Sequence, residues 1–151
     1  MDDAKHGFVY EDDPDLPGWK RWWLPDPNCY NAFLGPLSVK VEDGVARIRM
    51  QPRPQHSNLR GNFHGGVVLG FADVALFAAA RAFGVLTAGA ASTIDLSVQF
   101  IGGGAISEPI EARLELLRET GRFLFLRGLI VQGEAIVASF SGTVRKSSSK
   151  P

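Results

Sequence analysis

Cysteine is almost missing from this sequence, since Cys29 is the single thiol in 151 residues. One cysteine excludes an intramolecular disulfide and a zinc site built from several cysteines. It is typical of a reducing compartment such as the cytoplasm, although a secreted protein without disulfides would have the same composition. His6 and His56 have no metal-ligand spacing with other ligating residues, so we predict no metal site and expect no cofactor.

The sequence also has no excess of positive or negative charge, because 16 Lys and Arg residues balance 16 Asp and Glu residues. The balance leaves no global field that would attract nucleic acid or an anionic membrane, so we expect neither partner. Residues 1–19 are acidic and contain no apolar run, which is not typical of a signal peptide. The apolar run 67–80 is too short for a bilayer and is interrupted by Asp73. These absences predict a soluble, cytoplasmic protein.

The chain has the length and composition of one globular domain, with 45% hydrophobic residues. Residues 1–35 begin with an acidic arm, expected to be poorly ordered, and continue with an aromatic-rich segment that is broken by prolines. We expect this segment, 19–34, to pack on the domain as a short helix or a lid. Residues 36–146 contain the main domain, and the polar residues 147–151 are predicted to be a frayed tail.

Alternating apolar residues predict about six strands. Residues 37–50, LSVKVEDGVARIRM, contain two short alternating runs joined at Asp43-Gly44, a dipeptide typical of hairpin turns. Residues 92–101 alternate strictly and place Thr93 on the polar face, where solvent exposure is the plain alternative to a functional role. Three further runs are joined by short links and predict an antiparallel meander: PIEARLELLRE, RFLFLRGLIV and EAIVASFSGTVR. The middle run is apolar throughout, as in a strand covered on both faces.

Nearly every residue in 67–83 is apolar or small, yet Asp73 lies in the middle of this segment. A helix that is apolar all round belongs inside a fold. One such helix with about six antiparallel strands predicts an α+β fold, in which the sheet wraps around one central helix. Gly65, Gly66 and Gly70 let the sheet approach closely but lower the helix propensity, so packing must stabilise the helix.

This order of elements resembles a known family, and so does the succession of Asn58, His64, Gly65, Gly66 and Asp73. Over about residues 36 to 146 the chain is similar to the hotdog-fold thioesterases of the PaaI type. The resemblance implies a homo-oligomer, at least a dimer and compatible with a dimer of dimers. It also implies hydrolysis of acyl-CoA thioesters, with acyl carrier protein as the carrier for some members.

The resemblance also implies roles for single residues. Free N–H groups at a helix N-terminus can stabilise an oxyanion. The resemblance assigns this role to the Gly65 N–H, with His64 beside it. Asn58 would bind the carbonyl oxygen or the water. Asp73 would act as general base or as nucleophile. The remaining substrate-binding residues would be Gly66 and Thr93. A helix cap at His64 and a turn at Asn58 are the structural alternatives.

The spacing between Gly65 and Asp73 adds a constraint that does not depend on the family. Eight residues of α-helix separate the two by about 12 Å along the axis and about 80° around it. One chain therefore cannot bring its own Asp73 to its own Gly65. Either the two residues serve different tasks, or a second subunit completes the site. The resemblance implies the second arrangement, in which one chain supplies Asn58, His64 and Gly65, and its partner supplies Asp73 and Thr93.

Two other functions fit the same fold. A non-catalytic acyl-thioester binding protein would gain nothing from a costly buried acid such as Asp73. A hydratase of enoyl thioesters would need a histidine and an aspartate close together in one chain, and His64 and Asp73 do not have that spacing. On the substrate side, the candidates to meet the CoA phosphates are Arg60, Arg122, Arg145 and Lys146, for which ordinary solvated charges are the alternative.

Overall fold

The computed structural model describes residues 7–86 and 91–147. The first part of the predicted arm and residues 148–151 of the predicted frayed tail lie outside these ranges. The described elements are β1 (Val9–Asp12), β2 (Lys20–Trp23), α1 (Tyr30–Leu34), β3 (Leu37–Glu42), β4 (Val45–Met50), a 3-10 turn (Pro54–His56), α2 (Gly65–Ala82), β5 (Ser92–Phe100), β6 (Ile110–Glu119), β7 (Phe123–Gln132) and β8 (Ala135–Arg145).

The strands form one antiparallel sheet in the order β1-β2-β3-β4-β6-β7-β8-β5. Helix α2 packs against this sheet and contributes ten buried residues to the core. The predicted α+β hotdog fold, with an antiparallel sheet around one long helix, is therefore confirmed. The sheet has eight strands in the described part of the chain, somewhat more than the six expected.

Local turn chemistry explains why β3 and β4 pair as predicted. Asp43 and Gly44 both have positive φ, 53° and 77°, which is the conformation that a tight hairpin turn requires. The meander of β6, β7 and β8 is also confirmed. In β7, however, Phe125 and Leu129 are exposed within this single chain, so its outer face is not covered as expected.

The two additional strands, β1 and β2, correct the interpretation of the N-terminal segment. Residues 9–12 lie in a strand rather than in a poorly ordered arm, and β2 joins the edge of β3 rather than forming a lid. The Phe8 ring stacks on the Trp22 indole with centroids 4.5 Å apart, and Trp22 is buried in the core. The expected short helix is present as α1.

Helix α2 is long and apolar enough, by length and composition alone, to cross a membrane. Here it is the core helix of the fold, with most of its surface against the sheet. One stripe is left uncovered by the sheet and contains residues spaced three or four apart: Gly66, Leu69, Gly70, Asp73 and Phe77. The helix is thus not surrounded on all sides by its own sheet, and Asp73 lies in the gap.

Candidate functional site

The start of α2 has one free hydrogen-bond donor. His64 is the N-cap, and its Nδ1 accepts a hydrogen bond from Gly66 N at 2.8 Å. The His64 carbonyl accepts from Val67 N and Val68 N at 2.9 and 3.0 Å. Within the described part of the chain, the Gly65 N–H makes no hydrogen bond. This donor lies at the positive end of an 18-residue helix, where it can bind an anionic oxygen.

The surroundings of Gly65 and Gly66 differ in whether they leave room for a β-carbon. A β-carbon added at Gly65 would lie 3.7 Å from the Phe100 ring, an ordinary contact. A β-carbon at Gly66 would lie 3.1 Å from His64 Nδ1 and would crowd the cap. Gly66 is therefore explained by the cap alone, whereas packing does not require glycine at Gly65.

Asn58 shapes the loop that leads into the helix. Its Oδ1 accepts hydrogen bonds from Arg60 N at 2.8 Å and Asn62 N at 3.0 Å, which is a turn-forming role. Its Nδ2 donates no hydrogen bond to the described residues and is free for a ligand. Asn58 and His64 both line an open cleft of about 460 Å³, together with Ser57, Leu59 and Arg60. The structure thus groups two predicted site residues with one candidate for the CoA phosphates.

Asp73 and Thr93 form a second group. The Thr93 hydroxyl donates a hydrogen bond to Asp73 Oδ1 at 2.6 Å. The other carboxylate oxygen, Oδ2, accepts none from the described residues. Asp73 is half-buried on the uncovered stripe of α2, so this free oxygen can meet a water molecule or a substrate.

A β-bulge explains how Thr93 reaches Asp73. The pairing of β5 with β8 shifts between Thr93 and Asp95, which leaves Ile94 as the extra residue. Thr93 then lies opposite Val144, which is buried on the inner face of the sheet. The strict alternation that put Thr93 on one face with Asp95 was wrong, because it ignores the extra residue, and solvent exposure, the alternative to a functional role for Thr93, does not hold.

The structure keeps the predicted site residues in two separate groups along α2. Asn58, His64 and Gly65 lie at the first turn of α2, and Asp73 with Thr93 lies two turns further along. No hydrogen bond joins the groups within the described residues. The separation is the one that the helix spacing predicted for a single chain.

Three basic candidates for the CoA phosphates lie at the end of the sheet where β5 begins. Arg145 is opposite Ser92, the neighbour of Thr93, and also opposite Phe123 in β7. Lys146 pairs with Glu119 at 2.8 Å, and its N–H donates to the Arg122 carbonyl. Arg122, Arg145 and Lys146 therefore share one end of the sheet.

Tyr30 is a residue near the site that the sequence analysis missed. A β-carbon at Gly70 would overlap the Tyr30 hydroxyl, so the phenol lies directly on the uncovered stripe of α2. Burial raises the pKa of Tyr30, and the negative charge of Asp73 raises it further. No motif could have identified Tyr30, because it comes from a short helix outside the matched pattern.

Comparisons with known proteins find one matching family and several structures of similar fold. The thioesterase superfamily matches residues 60–138. A mutant of the phenylacetic acid degradation protein PaaI from Thermus thermophilus is 26% identical with a TM-score of 0.63, over 77% of this chain and 96% of that one. A comparison with curated proteins finds no match.

Two more distant structures share the fold. PaaI of the E. coli phenylacetic acid degradation operon is 23% identical with a TM-score of 0.63, over 78% of this chain and 83% of that one. A hypothetical thioesterase from Streptococcus pneumoniae, solved with coenzyme A, is 17% identical with a TM-score of 0.64, over 76% of this chain and 88% of that one.

Proposed function

Because this chain belongs to the thioesterase superfamily, we propose that it hydrolyses acyl-CoA thioesters in the cytoplasm, at a site shared between two subunits. The observation that carries the proposal is that one helix bears both a free N–H at Gly65 and an oriented carboxylate at Asp73. The two groups supply the two requirements of thioester hydrolysis, a stabilised oxyanion and an activated oxygen nucleophile.

The Gly65 N–H would receive the carbonyl oxygen of the thioester. Negative charge develops on this oxygen as the tetrahedral intermediate forms, and a fixed donor at a helix N-terminus stabilises it. His64 keeps the first turn in place through its hydrogen bond with Gly66 N. Asn58 Nδ2 would provide a second donor, for the carbonyl oxygen or for the water, from the cleft that His64 also lines.

Asp73 would act as the general base on a water molecule or as the nucleophile itself. With Oδ1 held by Thr93, Oδ2 can take a proton from a water molecule that adds to the carbonyl carbon. Alternatively, Oδ2 can add to that carbon itself and form an anhydride that water then opens. In both routes the carbon–sulfur bond breaks, and the products are a free acid and CoA.

A second subunit would bring the two groups together. The uncovered stripe of α2 contains Asp73, and β5 is an edge strand, since no other strand of the described residues pairs with its outer side. An edge strand of nine residues can pair with a second copy and extend the sheet. Two α2 helices that face each other antiparallel would then bring Gly65 of one chain toward Asp73 of the other.

The basic residues support CoA as the carrier. Arg60 lies in the Asn58–His64 cleft, and Arg122, Arg145 and Lys146 lie at the end of the sheet where β5 begins. In a shared site these two groups of cations would flank one cleft, where they can bind the phosphates of the nucleotide.

The proposal is tested by thiol release from a panel of acyl-CoAs that differ in chain length and aromaticity. We expect the wild-type protein to release CoA from at least one of them. Asp73→Asn should lower kcat about 100-fold or more, with an unchanged or raised melting temperature, because a half-buried charge becomes a near-isosteric amide. Binding of acyl-CoA without turnover by the wild-type protein would instead identify a thioester-binding protein.

A further inference from the structure

We propose that Tyr30 is a specificity-determining residue of this site and limits the size of the acyl group beside Asp73. The inference rests on the proposed thioesterase function. Tyr30 lies outside the part of the chain that the family matches, residues 60–138, and belongs to the short helix α1.

The position of the phenol is set by a glycine. The Tyr30 hydroxyl lies so close to Gly70 that any β-carbon there would overlap it. Gly70 and Asp73 are three residues apart and share the uncovered face of α2. The phenol therefore covers the helix one turn before the carboxylate, on the surface where the proposed site would hold the acyl group.

Tyr30 and Asp73 also interact through charge. Burial is the larger cause of the raised pKa of Tyr30, and the Asp73 carboxylate adds to it. The phenol therefore remains neutral at physiological pH, since the ordinary pKa of tyrosine is already about 10. A neutral phenol presents an apolar ring and one hydroxyl to whatever binds beside Asp73.

Helix α1, which carries Tyr30, is held in place by hydrogen bonds. Two carbonyls of α1 accept hydrogen bonds from the segment before the Asn58 loop. His56 Nε2 donates to the Phe33 carbonyl at 2.7 Å, and Arg53 Nη1 donates to the Ala32 carbonyl at 2.6 Å. His56 is fully buried, and the Phe33 ring stands edge-on to it at 5.0 Å. These contacts attach α1 to the loop that carries Asn58.

The outer side of the Tyr30 ring is open. Tyr30 is 51% exposed, although its hydroxyl end is packed on α2. Leu69, also exposed, continues the same face of the helix. An anchored ring with one free side forms a wall for a ligand, and such a wall excludes acyl groups with bulk next to the reacting carbonyl.

The test compares kcat/KM for a bulky aryl-acyl-CoA with kcat/KM for acetyl-CoA. Tyr30→Ala should raise this ratio about tenfold or more, the usual range for reshaping an apolar pocket. Tyr30→Phe keeps the ring and should change the ratio by less than about threefold. Gly70→Ala should also raise the ratio, because the new methyl group displaces the ring, while the helix gains propensity.

The double variant Tyr30→Ala/Gly70→Ala shows whether both changes act through the ring. We expect the second substitution to add little to the first, since the ring is already absent. Tyr10→Ala is the matched control. Tyr10 also packs at α2, where the Arg81 guanidinium lies 4.4 Å from its ring centroid, two turns beyond Asp73. This control should leave the ratio unchanged.

Two results would overturn the inference. One is an unchanged ratio in both Tyr30→Ala and Gly70→Ala, with acyl-CoAs still hydrolysed. The other is an equal loss of kcat/KM for all acyl groups, which would indicate a structural role. Absence of turnover by the wild-type protein on every acyl-CoA would overturn the proposed function itself, and the two failures are therefore distinguishable.

Discussion

The Thr93 hydroxyl is the hydrogen-bond partner that holds the Asp73 carboxylate, with 2.6 Å between the oxygens. Thr93→Val keeps the size and β-branching of the side chain but removes this donor. We expect kcat to fall about tenfold or more, because a catalytic carboxylate that loses its orientation loses catalytic power. The measurement is kcat and KM on the best acyl-CoA, and KM should change less than kcat.

Thr93→Ser is the matched control, since it keeps the hydroxyl and removes only a methyl group. It should retain most of the wild-type kcat. Equal losses in Thr93→Val and Thr93→Ser would show that packing at position 93 matters rather than the hydrogen bond, and Thr93 would then have no positioning role.

At this scale the sequence identified Asp73 and Gly65 as candidates through their spacing and motif. It could not identify the orientation of Thr93, because the bulge at Ile94 arises from pairing with β8 and has no local signature. It could not identify Tyr30 either, since the contact with Gly70 joins segments 40 residues apart.

The first turn of α2 is the element that would bind the oxyanion. Gly65→Val should lower kcat about 100-fold, because a branched side chain would crowd the approach of the carbonyl to the N–H. Stability should change little, since a β-carbon at this position meets the Phe100 ring only at 3.7 Å. A soluble and fully active Gly65→Val would move the oxyanion role to another group.

Gly65→Ala provides the graded comparison at the same position. Its single methyl group fits beside Phe100, and alanine has a higher helix propensity than glycine. We expect a protein of equal or higher melting temperature with an activity between those of the wild type and Gly65→Val.

One buried acid on β6 links this strand to β4 through side-chain hydrogen bonds. Glu111 is 5% exposed and accepts hydrogen bonds from Arg47, Arg49 and Arg113. Burial alone would raise the pKa of Glu111, but the arginine hydrogen bonds outweigh burial and hold the pKa below its ordinary value. The stabilisation is therefore complete above the unfolded-state pKa of about 4.3, and it is lost as the pH falls through the lower folded-state pKa.

Glu111→Gln should lower the free energy of unfolding at pH 7 by about 1–3 kcal/mol. The difference from the wild type should begin to shrink below about pH 4, where Glu111 takes up a proton in the unfolded chain, and it should disappear once the pH falls below the lower folded-state pKa. Glu115→Gln on the same strand is the control, because Glu115 is exposed and its nearest Arg127 nitrogen is 3.6 Å away. Urea unfolding at pH 7 and pH 3.5 measures both; a constant difference across this range would contradict the assignment.

Most strands and the long helix could be predicted, because each has its own signal along the chain. Asp43-Gly44 identifies one hairpin, and alternation identifies the meander. Strands β1 and β2 have four residues each and no such pattern. They are strands because β3 offers a free edge and because Phe8 and Trp22 stack across the pair. Contacts of this kind are decided by tertiary packing, which overrides weak local preference.

At the scale of the whole molecule, the proposed shared site makes a prediction about mixtures of two variants. Asp73→Asn and Gly65→Val are each expected to be inactive alone. In a mixed dimer, one site carries both substitutions and the other carries neither. Random reassortment makes about half of the dimers mixed, so co-refolding the two variants should restore about a quarter of the wild-type activity per site.

The two variants must be unfolded and refolded together, or co-expressed, so that subunits exchange. Native mass spectrometry verifies that mixed dimers form. Activity that stays at the level of the separate variants, with mixed dimers present, would show that each chain uses its own Gly65 and Asp73. Refolding each variant alone is the control for activity gained during refolding.

The bulge in β5 has a consequence for the insertions and deletions that this strand tolerates. Ile94 is the surplus residue of the strand, exposed and without a partner position in β8. Its deletion would leave Thr93 opposite Val144 and Asp95 opposite Thr143, now in an unbroken ladder. An insertion or deletion that instead moved Thr93 by one position would turn its hydroxyl to the outer face. Related chains can therefore differ by one residue at this point in β5 and keep the same carboxylate–hydroxyl pair.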